Sequence, residues 1–169
     1  MAAAERQFDP APILRLLLRH DVRFVVIGGL AGNSWGSPSL TFDLDVCYAR
    51  DSEDLDRLAA ALTELGVTLR GADADLPFRP DARTLRMGDH FTFATAYGPF
   101  DILGTPKGTV GFEELDRTAV EREIAGVRVR VVRIRDLIRM KVAAGRPKDL
   151  IEAEVLGALL EELERRGED

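Results

Sequence analysis

Phe24-Val25-Val26-Ile27-Gly28-Gly29 and, after a stretch of 13 residues, Asp43-Leu44-Asp45-Val46 decide the reading of this chain. The first run is short, apolar and β-branched, and it stops at two glycines. It predicts a buried strand over 23–27 that ends in a turn. Residues 30–35 follow as a short helix closed by Gly36, and 37–39 as loop. Residues 41–49 form a second strand in this reading. Side chains two apart on a strand share a face. Asp43 and Asp45 therefore stand side by side while Leu44 and Val46 point into the core. Like charges held that close repel unless a cation lies between them. Mg²⁺, which takes carboxylate and phosphate oxygens, is the usual solution. An exposed acidic strand face is the plainer alternative.

Outward from this centre the periodicity predicts helices over 11–20 and 51–65, the latter stopped by Gly66. A short strand is expected over 67–69 and a loop over 71–82. Extended runs follow at 84–87, 91–96 and 100–103, the last two forming a hairpin around Tyr97-Gly98-Pro99. A short helix is expected over 112–117 and a strand with one polar face over 127–132. Closing helices span 134–144 and 147–166, with Pro147 in the first turn of the last. The order is that of an α+β domain, a mixed sheet flanked by helices. One domain over 1–169 is expected, with a sheet core over 21–132 and a C-terminal helical part over 133–166.

Composition bounds the function. The chain has 169 residues, 46% hydrophobic and 31% charged, which suits a soluble globular protein. No apolar run nears the ~20 residues of a membrane span. The N-terminus lacks the basic-then-apolar order of a signal peptide, and Cys47 is the sole cysteine. A cytoplasmic protein without membrane attachment is expected. The net charge of −6 argues against wholesale nucleic-acid coating. Residues 128–148, however, hold eight Lys/Arg and one acid, Asp136. That segment reads either as a solvated face or as a basic wall facing phosphates or RNA.

Three further positions carry chemistry. Asp101 interrupts the apolar Phe100-Asp101-Ile102-Leu103 and is costly to bury unpaired. It either joins Asp43 and Asp45 as a third metal ligand or faces water on an edge strand. Lys141 shares a helical face with Ile134, Leu137 and Ile138, so it either snorkels at the end of the stripe or aims a cation at phosphates or at the acids. Asp149 sits in the first turn of the last helix, where an acid suits the dipole. Gly28-Gly29 permits close backbone approach and positive φ, and the following helix N-terminus offers free N–H groups to a phosphate. The histidines, His20 and His90, give little.

Ile27-Gly28-Gly29 and Asp43-Leu44-Asp45-Val46 in this order resemble the nucleotidyltransferase superfamily related to DNA polymerase beta. Gly29-Leu30-Ala31, Thr41-Phe42-Asp43-Leu44-Asp45, Phe100-Asp101-Ile102-Leu103 and Leu137-Ile138-Arg139-Met140-Lys141, running into Gly145-Arg146-Pro147-Lys148-Asp149, are similar to its AbiEii-type and minimal members. The resemblance covers residues 24–160. It implies Mg²⁺- or Mn²⁺-dependent transfer of a nucleoside monophosphate from an NTP to a hydroxyl. Asp43, Asp45 and Asp101 would be the metal ligands, with Lys141 and Asp149 also in the catalytic set. Gly28, Gly29, Ser34 and Thr41 would line the nucleotide. Arg146 and Lys148 have two readings, contact with phosphate or acceptor, or plain solvent exposure. RNA, a protein partner or a small molecule would be the acceptor, and a toxin–antitoxin role is among those the resemblance implies. Many such proteins carry Arg where this chain has Ser39, and often a basic residue where it has Phe42. Arg79, Arg83 and Arg86 are the expected substitutes. Without one, the fold would serve a catalytically degenerate binding or regulatory protein.

Overall fold

The computed structural model describes residues 7–72 and 77–168. Its elements run α1 (Ala11–Arg19), β1 (Phe24–Ile27), α2 (Gly28–Ser34), β2 (Leu44–Tyr48), α3 (Ser52–Leu65), β3 (Thr68–Leu69), α4 (Ala82–Met87), β4 (His90–Ala94), β5 (Phe100–Leu103), α5 (Phe112–Thr118), β6 (Val120–Ile124), β7 (Val127–Val131), α6 (Ile134–Ala144) and α7 (Pro147–Arg166).

The strands form one sheet in the order β3-β4-β5-β2-β1-β7-β6. It is mixed: β2 runs parallel to β5 and β1 parallel to β7, while the other neighbours are antiparallel. All four residues of β1 are buried, because the strand is central and covered on both faces, where a continuous apolar run is the stable choice. Along β2 and β5 burial alternates instead. Leu44, Val46, Phe100 and Ile102 are fully buried on one face, and Asp45 and Asp101 lie between them on the other. Phe93 of β4 packs its ring against Phe100 at 6.2 Å between centroids, extending the same layer.

Local chemistry sets the helix ends. Asp51 accepts from the Asp54 N–H at the start of α3, and Gly66, with φ of 69°, closes it in the left-handed region. Gly145 closes α6 the same way, with φ of 71°, and the chain turns directly into α7 at Pro147.

Several expectations need correction. Residues 84–87 are helical within α4, not extended. Asp81 caps that helix by accepting from the Thr84 N–H, a local signal that outweighs four residues too few to define a period. Strand β6 was not anticipated. In Val120-Glu-Arg-Glu-Ile124 three charged residues stand between two apolar ones, so polarity does not alternate, and the segment pairs along its length with β7. The turn between them is Ala125-Gly126, both at positive φ (50° and 80°), and Ala is a poor advertisement for that conformation. Strand β2 starts at Leu44, not at 41, so Asp43 stands just before it. Helix α2 starts at Gly28, on the glycine turn itself. Of the loop expected over 71–82, residues 73–76 lie outside the described residues.

Candidate active site

The parallel register of β2 on β5 sets Asp45 directly opposite Asp101. Strand β5 lies inside the sheet between β4 and β2, so Asp101 is not on an edge. Asp43, two residues before Asp45, completes the group: one carboxylate oxygen from each of the three acids lies within 4.8 Å of the others.

The glycine turn is shaped around these acids. A Cβ on Gly28 would stand 2.3 Å from Asp45 Oδ2, and one on Gly29 would stand 2.6 Å from Thr41 Oγ1. Gly28 also sits at φ of 71°, a conformation that costs other residues about 1–2 kcal/mol. Thr41, thus packed, donates to Asp43 Oδ1 at 3.4 Å. The Gly-Gly pair therefore serves first to let the acid-bearing strand close on the turn.

Burial, then the charges of Asp43 and Asp101, push the Asp45 carboxyl up to about 7, against the opposing pull of Lys141 and Arg70. Burial also raises Asp101, although a bond from Arg70 works the other way. Arg70 is the main residue that sequence reasoning missed. From the end of β3 its Nη2 reaches Asp101 Oδ1 at 2.8 Å, while Nη1 donates to the Phe93 carbonyl at 3.0 Å. Only the pairing of β3 on β4 and β4 on β5 brings it there. No local pattern around residue 70 could have announced it.

A cleft of about 560 Å³ opens beside the acids. Its lining comprises Ile27 and Gly28, Asp89, His90 and Leu103, the loop Thr105-Pro106-Lys107, Leu137, Met140, Lys141 and Ala144 of α6, and Arg146 and Asp149. Lys141 thus faces the cleft, with Nζ 3.8 Å from Asp149 Oδ1. Asp149 is only 2% exposed. Arg146 donates to its Oδ2 from Nε at 2.7 Å and from the backbone N–H at 3.3 Å. Burial alone would raise the Asp149 carboxyl, but Arg146 and Lys141 more than offset that and hold it low. One buried carboxylate therefore starts α7 and gathers both cations.

Other expected residues lie elsewhere. Ser34 donates its hydroxyl to the Ala31 carbonyl of its own helix at 2.6 Å and does not line the cleft; neither does the exposed Lys148, nor Arg79, Arg83 or Arg86. Ser39 points to α7, where Glu152 accepts from the Ser37 and Ser39 hydroxyls at 2.6 and 2.5 Å. The basic segment is largely neutralised internally. Arg128 pairs with Glu121, Arg130 with Asp116, Arg133 with Asp136, Arg135 with Glu164, Arg139 with Glu114, and Lys141 and Arg146 with Asp149.

No family model and no curated protein matches the chain. Solved structures do. The lincosamide antibiotic adenylyltransferase LnuA, bound to lincomycin, superposes with a TM-score of 0.58 at 13% identity, covering 88% of this chain and 94% of its own. The antibiotic-resistance factor ANT(2'')-Ia gives 0.54 at 16% identity, covering 92% and 89%. TM1012 of Thermotoga maritima, a protein assigned to the nucleotidyltransferases, gives 0.53 at 17% identity, covering 94% and 98%. The fold is that of the nucleotidyltransferases. At such identities the likeness speaks for the nucleotidyltransferase fold alone. Among the described residues no helix is long and apolar enough to cross a membrane.

Proposed function

We propose that the protein is a metal-dependent nucleotidyltransferase that moves a nucleoside monophosphate from an NTP to a hydroxyl of a small molecule. The observation that carries this is the convergence of Asp43, Asp45 and Asp101 within 4.8 Å, packed against Gly28 of a cleft whose lining includes Lys107, Lys141 and Arg146.

The donor set fits a hard divalent ion, Mg²⁺ or Mn²⁺. Its oxygens come from three acids, among the described residues no hydrogen-bond donor serves the Asp45 carboxylate, and burial followed by repulsion from Asp43 and Asp101 keeps its pKa high. Asp43, Asp45 and Asp101 would hold the ion. When bound, it supplies positive charge and polarisation to phosphate oxygens. The chain's own residues do the rest. Lys141 and Arg146 offset phosphate charge along the cleft, and Arg70 fixes the Asp101 carboxylate. In the reaction the acceptor oxygen forms a bond to the α-phosphorus. The bond from that phosphorus to the β-bridging oxygen breaks, and pyrophosphate leaves with the electron pair. The hydroxyl proton passes to a carboxylate of the triad and on to water.

A small acceptor is favoured over RNA because the segment expected to bind RNA is spent on internal ion pairs. The structural neighbours named above for antibiotic substrates or resistance support the same choice. The test is transfer of label from α-labelled NTPs with Mg²⁺ or Mn²⁺ to a panel of hydroxyl-bearing antibiotics, with tRNA alongside. Label should appear on a small molecule, and Asp43→Ala with Asp45→Ala should remove it, by on the order of 10²-fold or more. Label on tRNA alone would contradict the acceptor assignment. The tie between Ser39 and Glu152 favours a second reading, a catalytically degenerate binding protein. In that case no NTP would bind.

A further inference from the structure

We infer that Lys107, on the loop between β5 and α5, is the residue that selects a triphosphate over a monophosphate; this rests on the nucleotidyl-transfer reading above. Three Lys or Arg side chains line the cleft: Lys107, Lys141 and Arg146. Two of them are committed, since Lys141 and Arg146 share the buried Asp149 carboxylate. Lys107 is exposed and, among the described residues, has no acidic partner. An anion entering the cleft meets in Lys107 a cation with no existing pair to break.

The backbone of the loop that carries Lys107 is anchored on both flanks. Asp89 accepts from the Thr105 N–H at 3.1 Å and from the Thr105 hydroxyl at 3.2 Å, and its carbonyl accepts from the Gly104 N–H at 2.7 Å. On the other flank, Thr109 closes a turn onto the Pro106 carbonyl through both its N–H and its hydroxyl, at 3.1 and 2.7 Å. Gly108, at φ of 82°, lies so close to α6 that a Cβ there would stand 2.8 Å from the Ala143 Cβ. The loop is thus pinned to β4 on one side and to α6 on the other, with Lys107 between the anchors. A lysine is a point cation that suits phosphate. Strand β5 carries the chain from Asp101 through the cleft-lining Leu103 into this loop. Lys107 thus follows the strand end that leads away from the acids, the position assigned here to the outer phosphates and the leaving pyrophosphate.

The experiment is calorimetric titration of Mg²⁺ with α,β-methylene NTPs, and separately with the matching NMPs, into wild type, Lys107→Gln and Lys107→Arg. Lys107→Gln should weaken the NTP analogue about tenfold or more and leave NMP binding unchanged, and Lys107→Arg should restore most of the loss. Lys107 is exposed, so the unfolding temperature without ligand should not move. Equal NTP affinity in wild type and Lys107→Gln overturns the inference while the nucleotidyltransferase reading stands. Equal loss for NTP and NMP overturns it too. If wild type binds no NTP analogue, both fall.

Discussion

Asp45, raised from 3.8 to about 7 chiefly by burial and then by its acidic neighbours, makes the site's pH behaviour calculable. Its folded pKa lies above its unfolded value, so the native state binds the extra proton. Stability contributed by that proton is full below the unfolded value and is lost as pH rises through about 7. A divalent ion binds the ionised form. The rise in unfolding temperature produced by Mg²⁺ should therefore grow from pH 5.5 to pH 8, and Asp45→Asn should raise the metal-free unfolding temperature at pH 8. A metal shift independent of pH would contradict this. Gly28 gives a second test. Gly28→Ala forces a Cβ within 2.3 Å of Asp45 Oδ2 at a positive φ. It should cost at least about 1–2 kcal/mol and weaken Mg²⁺ binding, both measurable by thermal melts with and without metal. At this scale the sequence was informative where chemistry is local. The spacing of Asp43 and Asp45 is visible in the chain, whereas Arg70 meets Asp101 across an intervening strand and leaves no local trace.

The elements differ in what their ends do. Asp51 and Asp149 both sit at helix starts, but Asp51 caps α3 and pairs with Arg23, which does not line the cleft, while Asp149 also holds two cleft cations. Replacing either with alanine should cost about 1 kcal/mol of stability. Only Asp149→Ala should alter the site. With Lys141 and Arg146 freed, an NTP analogue should bind a few-fold tighter, while transfer slows because Lys141 loses its orientation. Unfolding curves and titrations on the two variants check this; equal effects on nucleotide binding would refute it. The elements most legible in sequence were those with an apolar stripe and a capped end, such as α1, α3 and α6. Two short segments, α4 and β6, were not. Helix α4 buries only Leu85, and β6 sets three charged residues in a row between Val120 and Ile124, so neither shows a decisive hydrophobic period.

Across the whole molecule, charge is distributed to neutralise itself. The cations of 128–148 lie on β7, α6 and the start of α7, and seven of the eight are paired with acids. The basic run that suggested an RNA face is contiguous in sequence and dispersed in space. Filter retention of tRNA at low salt should stay near background; strong retention that collapses with salt, as counterion release demands, would count against the assignment. The mixed sheet is what brings the site together, by laying β2 parallel to β5 so that acids 56 residues apart, Asp45 and Asp101, become register partners. The most direct test of that convergence is calorimetric titration of Mn²⁺ with a non-hydrolysable NTP into wild type and into Asp43→Asn, Asp45→Asn and Asp101→Asn. Saturable metal–nucleotide binding that each single variant weakens is the predicted result. Binding that survives the loss of all three carboxylates, or no binding to wild type, would contradict it.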